Sequence, residues 1–394
     1  MRLPICILAM ALSAWAADID TPQPADDTPD QAQTASPDAQ TSAAAPPTAT
    51  PAKLHGFVFS AYADGYVTVN FNHPSDGNGN GLGNQLYNFN DNNGTPRLSL
   101  MKVTVDKSDQ QFGFHIDAGF GETMRQIHAG DIAAQNNKAL RYIEQAYVIW
   151  KPHHTHGAEI DYGSFVTSAG AEVIEANANW NYTRSLLFAW AIPYYHAGLR
   201  VNMPVTKTWT LGVQVVNAWN TDWGSHNMQN IGVTSAWTKP LYTWSVNYYE
   251  GPNNFGTTTG KRNLVDTTLL LTAWPKVNLY VNGDWGQNGY SNGIGAANWY
   301  GVAGAAHYQM TKHIALSARA EVFDDRDGYS TGTQQTVKEG TATGEYKYND
   351  HIIARLEYRH DWTNAPFFFR GTDQIIQNQT TFTGALMFLL GPYK

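Results

Sequence analysis

"HIIARLEYRHDW", residues 351–362, sorts its side chains onto two faces. Ile352, Ala354, Leu356, Tyr358, His360 and Trp362 occupy the even positions, with Arg355, Glu357, Arg359 and Asp361 at odd ones. Successive side chains of a β-strand leave opposite faces of the sheet, so this is a strand with one apolar and one ionic face. The pattern recurs along the chain. In 313–323, Ile314, Leu316, Ala318, Ala320 and Val322 alternate with Ser317, Arg319 and Glu321. In 276–285, Val277, Leu279, Val281 and Trp285 oppose Asn278, Tyr280, Asn282 and Asp284. Phe112, Phe114, Ile116, Ala118 and Phe120 alternate with Gly113, His115, Asp117 and Gly119, and Phe382, Leu386 and Phe388 with Thr381 and Thr383.

Composition explains what the apolar faces meet. Of 394 residues, 42% are hydrophobic, 13% aromatic and only 15% charged, where a soluble domain carries about 25% charged residues. Mean hydropathy is nonetheless negative, and beyond the N-terminus no apolar run approaches the ~18 residues of a spanning helix. Few charges, many Tyr and Trp, abundant Gly and no long apolar run fit an all-β transmembrane antiparallel barrel, in which each strand shows lipid one face.

The connections alternate in length. Tight turns are read near Asp106–Asp109, Pro204–Lys207, Lys239–Pro240, Pro275–Lys276, Met310–Lys312 and Asn349–Asp350. Longer Gly- and Asn-rich segments fall between them, including Asn72–Thr95, Gly121–Ala139, Val166–Thr183 and Thr363–Gln377. Short periplasmic turns and long extracellular loops give about 16 strands, with both ends in the periplasm. Trp150, Trp209, Trp237 and Trp274 fall beside short turns, and Trp219, Trp285 and Trp362 at the opposite strand ends. That placement predicts two interfacial aromatic belts.

The N-terminus reads differently. "MRLPICILAMALSAWA", residues 1–16, has one Arg, a short apolar core and an A-x-A ending, the pattern of an export signal. Residues 17–53, rich in Ala, Pro, Thr, Gln and Asp, read as a disordered acidic tail. The barrel domain is expected over 54–394. Cys6 is the one cysteine, so no disulfide framework exists. A net charge of −8 argues against nucleic acid as a partner.

A closed sheet of about 16 strands leaves an aqueous lumen. The expected inward positions carry Asp117, Glu159, Asp161, Arg200, Asp266, Asp284, Arg319, Glu321, Glu339, Glu345, Lys347, Arg355, Glu357, Arg359 and Asp361. Charges of both signs are tolerable on a wet wall and costly in a dry core. The expectation is a pore for passive diffusion of small hydrophilic solutes or ions, without a cofactor. The acidic excess points to a mild cation preference. Outer-membrane lipid and lipopolysaccharide would surround it, and wide barrels of this kind often pack as homotrimers.

"GAEVIEANANWNYTRSLLF", residues 170–188, followed by "AIPYYHAGLR", breaks the period-two rhythm. It resembles the central segment of the OmpL-like β-barrel porins. "LHGFVFSAYADGYVTVNFN", "LYNFN" at 86–90 and "QTTFTGALMFLL" near the end are similar to that family too. The resemblance covers Leu54 to the C-terminus, and implies an outer-membrane porin with no catalytic residue. Here Phe388 is followed by LLGPYK, which displaces the terminal aromatic expected by the barrel-assembly machinery.

Within that segment Glu172 and Glu175 are spaced to share one face of a helical turn. A loop over Val166–Thr183 folding into the lumen would place them at a constriction, facing Arg184 and Arg200. The strand is expected to resume near Ser185, with Leu186, Phe188 and Trp190 toward lipid. Two other classes stay open: an outer-membrane barrel enzyme using Glu172 and Glu175 or a His cluster, and a secreted soluble β-sandwich binder. Asp76–Gly81 matches the start of a calcium loop but has Tyr87 where the closing Glu belongs, so no site is expected there. His153, His154 and His156 could bind Zn or Ni, or simply form a polar turn.

Overall fold

The computed structural model describes residues 53–54, 56–76, 81–108, 111–221, 229–253 and 258–392. The export signal, nearly all of the acidic tail and residues 77–80 of the calcium-like loop lie outside them.

Sixteen strands form the wall. They are β1 (Phe57–Asn70), β2 (Arg97–Ser108), β3 (Phe112–Phe120), β4 (Ile143–Trp150), β5 (Glu159–Val166) and β6 (Tyr195–Thr206). Next come β7 (Trp209–Val216), β8 (Asn230–Lys239), β9 (Tyr242–Pro252), β10 (Lys261–Trp274) and β11 (Val277–Gly289). The last are β12 (Ala296–Gln309), β13 (Ile314–Asp325), β14 (Gln335–Asn349), β15 (Ile352–Thr363) and β16 (Asn378–Leu390). Every strand pairs antiparallel with its chain neighbours, and β16 returns to β1 through Phe382↔Val69 and Leu386↔Gly65. Closure leaves no sheet edge, the condition for a sheet to lie in lipid. It also replaces the sandwich alternative by one continuous wall.

Alternation sets what each face meets. On β13, Ala315, Ser317, Arg319, Glu321 and Phe323 are buried inside, while Leu316 and Val322 are exposed outside. On β15, Arg355, Glu357, Arg359 and Asp361 point inward, and Leu356, Tyr358 and Trp362 outward. Longer loops follow the odd-numbered strands and turns the even-numbered ones. The length rule breaks once: the turn at 151–158 is longer than the loop at 290–295.

Trp150 and Trp274 lie exposed at the turn end of the wall. There Trp209, Trp237 and Trp244 stack in a row, with centroids 5.9 and 5.0 Å apart. Trp285 and Trp362 are exposed near the loop end. Trp219, expected in that belt, instead turns inward, 6.3 Å from Trp299 and beneath the Arg262 guanidinium. Its cation–π and edge contacts hold it at the rim.

Between β5 and β6 the wall bends. Gly163 and Gly198 face each other in register with φ of 143° and 154°. A Cβ on either would stand 2.2–2.3 Å from the carbonyl oxygen of Ala146 or Val215. Only glycine fits there. The chain leaves the wall just beyond this kink and returns just before it, and the segment between enters the lumen.

Candidate functional site

The inward loop spans residues 167–194, eleven residues beyond the expected end at Thr183. Ser185 begins no strand. A short π-helix, Leu187–Ala191, occupies the place, and β6 starts only at Tyr195. Leu186 and Phe188 are buried rather than lipid-facing, and Phe188 packs edge-on against Phe89 of the first long loop. The reason is the destination of the backbone: Leu186 and Leu187 N–H donate to Glu321 at 2.8 and 3.2 Å, so this apolar run closes over the lumen wall. Leu187 fits because position 301 lacks a side chain; a Cβ at Gly301 would meet Leu187 Cδ1 at 2.5 Å.

Wall charges hold the loop mainly by its backbone. Arg355 donates to the carbonyls of Ala176, Asn179 and Asn181 at 2.7–3.1 Å, and to Glu345 at 2.8 Å. Arg319 reaches Thr183 O at 2.8 Å, and Arg359 reaches Arg184 O at 2.8 Å. In the opposite sense, Glu357 accepts the N–H groups of Tyr182 and Thr183 at 2.6 and 3.0 Å. Charged groups make the stronger hydrogen bonds, and here they satisfy peptide groups that no regular structure pairs. The arginines and glutamates read as pore lining are thus loop anchors on β13 and β15.

The two glutamates do not share a face. Residues 172–175 are irregular, and a single 3-10 turn follows at Ala176–Ala178. Glu172 turns to Arg319 at 2.6 Å and caps Ser185 N–H at 2.6 Å. Glu175 turns the other way, to Lys102 on β2. The expected partners are elsewhere. Arg184 binds Tyr182 O and Ile174 O within the loop itself, beneath the Phe89 ring. Arg200 pairs with Asp161 at 2.9 Å on the neighbouring strand. Asp284 lies inward on β11, opposite Asp266.

Among the charged sequence candidates Glu175 and Lys347 keep solvent contact, 18% and 23% of their side chains, and the rest are buried. From Ala169 to Ala189 every residue is buried except Val173, Glu175, Asn177 and Ala178. That short edge, with Ser168, Trp190 and Tyr194 near the ends of the loop, is what the segment leaves uncovered. Behind Glu175, Lys102 Nζ also meets Asp117 at 2.8 Å and Glu144 at 3.3 Å. Asp117, Glu144 and Glu175 form the one convergent triple of His, Cys, Asp or Glu side chains among the described residues, and the ammonium of Lys102 already bridges them. His153, His154 and His156 form no such group; they are exposed at the turn end.

Lys102 and Glu144 escaped the sequence reading. Lys102 was legible, because "LMKVTVD" at 100–106 alternates with Met101, Val103 and Val105 outward. Glu144 was not: a register shift opposite Asp117/Ala118 buries both Glu144 and Gln145. A bulge of that kind leaves no mark on the pattern.

A closed sixteen-stranded wall, apolar outside, ionic inside and crossed by an inward loop, defines an outer-membrane porin. Solved structures with this fold include the anion-selective porin from Comamonas acidovorans, at 10% identity over 85% of this chain and 99% of that one, TM-score 0.57. The outer membrane channel DcaP of Acinetobacter baumannii matches at 10% identity over 87% and 100%, TM-score 0.56. The trimer form of OmpT, an outer membrane protein of Vibrio cholerae, matches at 11% over 85% and 99%, TM-score 0.53. No curated protein sequence matches. The family model described as "Putative beta-barrel porin-2, OmpL-like" covers residues 56–390, and the chain belongs to that family.

Proposed function

We propose that small hydrophilic solutes and ions diffuse passively past the edge Val173–Ala178, with Glu175 as the charged filter, held in place by the buried Lys102, Asp117 and Glu144 behind it. The observation that carries this reading is that between Ala169 and Ala189 those few residues alone keep solvent contact, with Glu175 the one charge among them. Electrostatics at a narrowing act on whatever must pass it, whereas charges buried behind a loop do not. The surrounding anchors, Arg319, Arg355, Arg359, Glu321 and Glu357, set the shape of the passage. The net acidic filter gives a mild cation preference.

The protein acts as a channel and not as an enzyme on this reading. Its support is that Glu172 and Glu175 point to different cations, leaving no shared space between two carboxylates for acid–base work. The signal read at residues 1–16 serves export, and lipopolysaccharide and the barrel-assembly machinery are the expected outer-membrane partners. A homotrimer fits as well. The outward faces of β12, β13 and β14 align Gly304, Ala320 and Gly340 in one row and Ala306, Ala318 and Ala342 in the next. Such a flat strip suits wall-to-wall packing.

Planar-bilayer recording in asymmetric salt tests the reading. The wild type should show ohmic steps and a cation-selective reversal potential, with Glu175→Gln moving that potential toward zero. A folded, inserted barrel without conductance would end the channel reading, and an unchanged potential in Glu175→Gln would end the filter assignment.

A further inference from the structure

The wall of β10 and β11 is unlike the rest of the lumen. Asp266 and Asp284 stand opposite each other in register, both facing inward, at 0% and 5% exposure. Like charges directly across a strand pair repel, and a buried charge without a counter-charge is costly. Most other buried acids meet a base or a set of N–H donors: Asp117 has Lys102, Asp161 has Arg200, Glu339 has Arg319, Asp361 has Arg359 and Glu357 has backbone donors, while Asp64 stands singly and takes the Tyr182 hydroxyl at 2.7 Å. Asp266 and Asp284 have no ion-pair partner among the described residues.

Their hydrogen bonding is unequal. Asp266 accepts from Asn247 at 2.7 Å and Asn282 at 2.8 Å, and from the Gly170 N–H of the inward loop. Neither carboxylate oxygen of Asp284 makes a well-formed hydrogen bond among the described residues; its nearest polar neighbours are the Asp266 carboxylate itself and the Asn282 amide. Nor does the hydroxyl of Thr268, which is 0% exposed and sits on the same inward face, opposite Asn282. Three buried oxygens without a well-formed partner therefore lie on one inward face, Thr268 two residues along the strand from Asp266 and diagonal to Asp284. The donors that could have answered them are spent on Asp266.

We propose that Asp266, Asp284 and Thr268 form a binding site for a hard divalent cation, Ca²⁺ in preference to Mg²⁺, at the base of the inward loop. The donors are all oxygens, and two are carboxylates, as such cations require. An irregular set drawn from two strands suits the flexible coordination of Ca²⁺ better than the strict octahedron of Mg²⁺. The cation neutralises the acid pair, and through Asp266 it steadies Gly170, where the loop leaves the wall.

The test is calorimetric titration of Ca²⁺ into the full barrel, folded in lipopolysaccharide-free detergent and stripped with chelator. Wild type and Asp76→Asn should bind one Ca²⁺ at the same site, with Mg²⁺ competing weakly. Asp284→Asn and Asp266→Asn should abolish that binding. Thr268→Val, a change of one atom type without loss of volume, should weaken it about tenfold or more. Heat-shifted gel mobility checks that each variant is a folded barrel. Absence of saturable binding in the wild type overturns the site, the pair then sharing a proton. Equal binding in folded Asp284→Asn overturns it as well.

Discussion

Two sectors of the same wall hold the inward loop by opposite means. On β13 and β15, Arg319, Arg355 and Arg359 alternate with Glu321 and Glu357, and each spends its charge on loop peptide groups or on a neighbour. On β10 and β11, Asp266 and Asp284 face each other without a base, and one of them touches the loop only through Gly170. Mixed charge makes a self-sufficient clamp, whereas like charge makes a site that asks for a counter-ion. The difference lies in which residues occupy equivalent inward positions, since both sectors share the same strand geometry.

Removing the clamp should have the larger effect. Arg355→Ala deletes three bonds to loop carbonyls and strips Glu345 of its buried partner. Breaking a buried pair by losing one member costs about 3–5 kcal/mol. The heat-modifiable folded band should disappear at lower temperature, and single-channel conductance should rise as the loop undocks. The mixed-charge sector could instead act by shape alone. Gly301→Ala separates these, because it crowds Leu187 and leaves every anchor charge in place. Overpacking of this kind costs about 1–3 kcal/mol, so noisier current with a smaller fall in stability is expected.

The like-charge sector should respond in the opposite direction. In chelator, Asp284→Asn removes repulsion across a directly opposed pair and should raise barrel stability by up to about 1 kcal/mol. With Ca²⁺ present the order should reverse, because the variant loses the bound cation's contribution. Stability that ignores both the substitution and the cation would make the two sectors equivalent and erase the contrast. The heat-shift gel run with and without chelator reads all of these.

Much of the wall was legible in sequence because lipid enforces a strict rule. Every second residue must be apolar over each crossing, so stretches such as 351–362 declare their inward and outward sets. The same rule placed the arginines and acids of β13–β15 inside correctly. It could not say whether water or protein would cover them, since that depends on loop residues 167–194, which follow no period. Leu186 and Phe188 look like a lipid-facing strand by hydropathy. They are buried because Glu321 captures the backbone beside them, a contact between residues 135 apart in the chain. The Glu172/Glu175 spacing misled for a related reason: a helical turn was assumed where distant Arg319 and Lys102 dictate an extended, divergent course.

On this account the edge at Val173–Ala178 borders the conducting path. Asn177 is half-buried on that edge, and Cys6 is the one cysteine in the chain, lying far from the barrel in sequence. Asn177→Cys therefore offers a single reactive position within the lumen. Single-channel current through this variant, before and after a positively charged thiol-specific reagent, tests the central claim most directly. A stepwise loss of current that a reductant reverses is the predicted result. Labelling of the introduced thiol, verified by mass, with current and selectivity unchanged would contradict it.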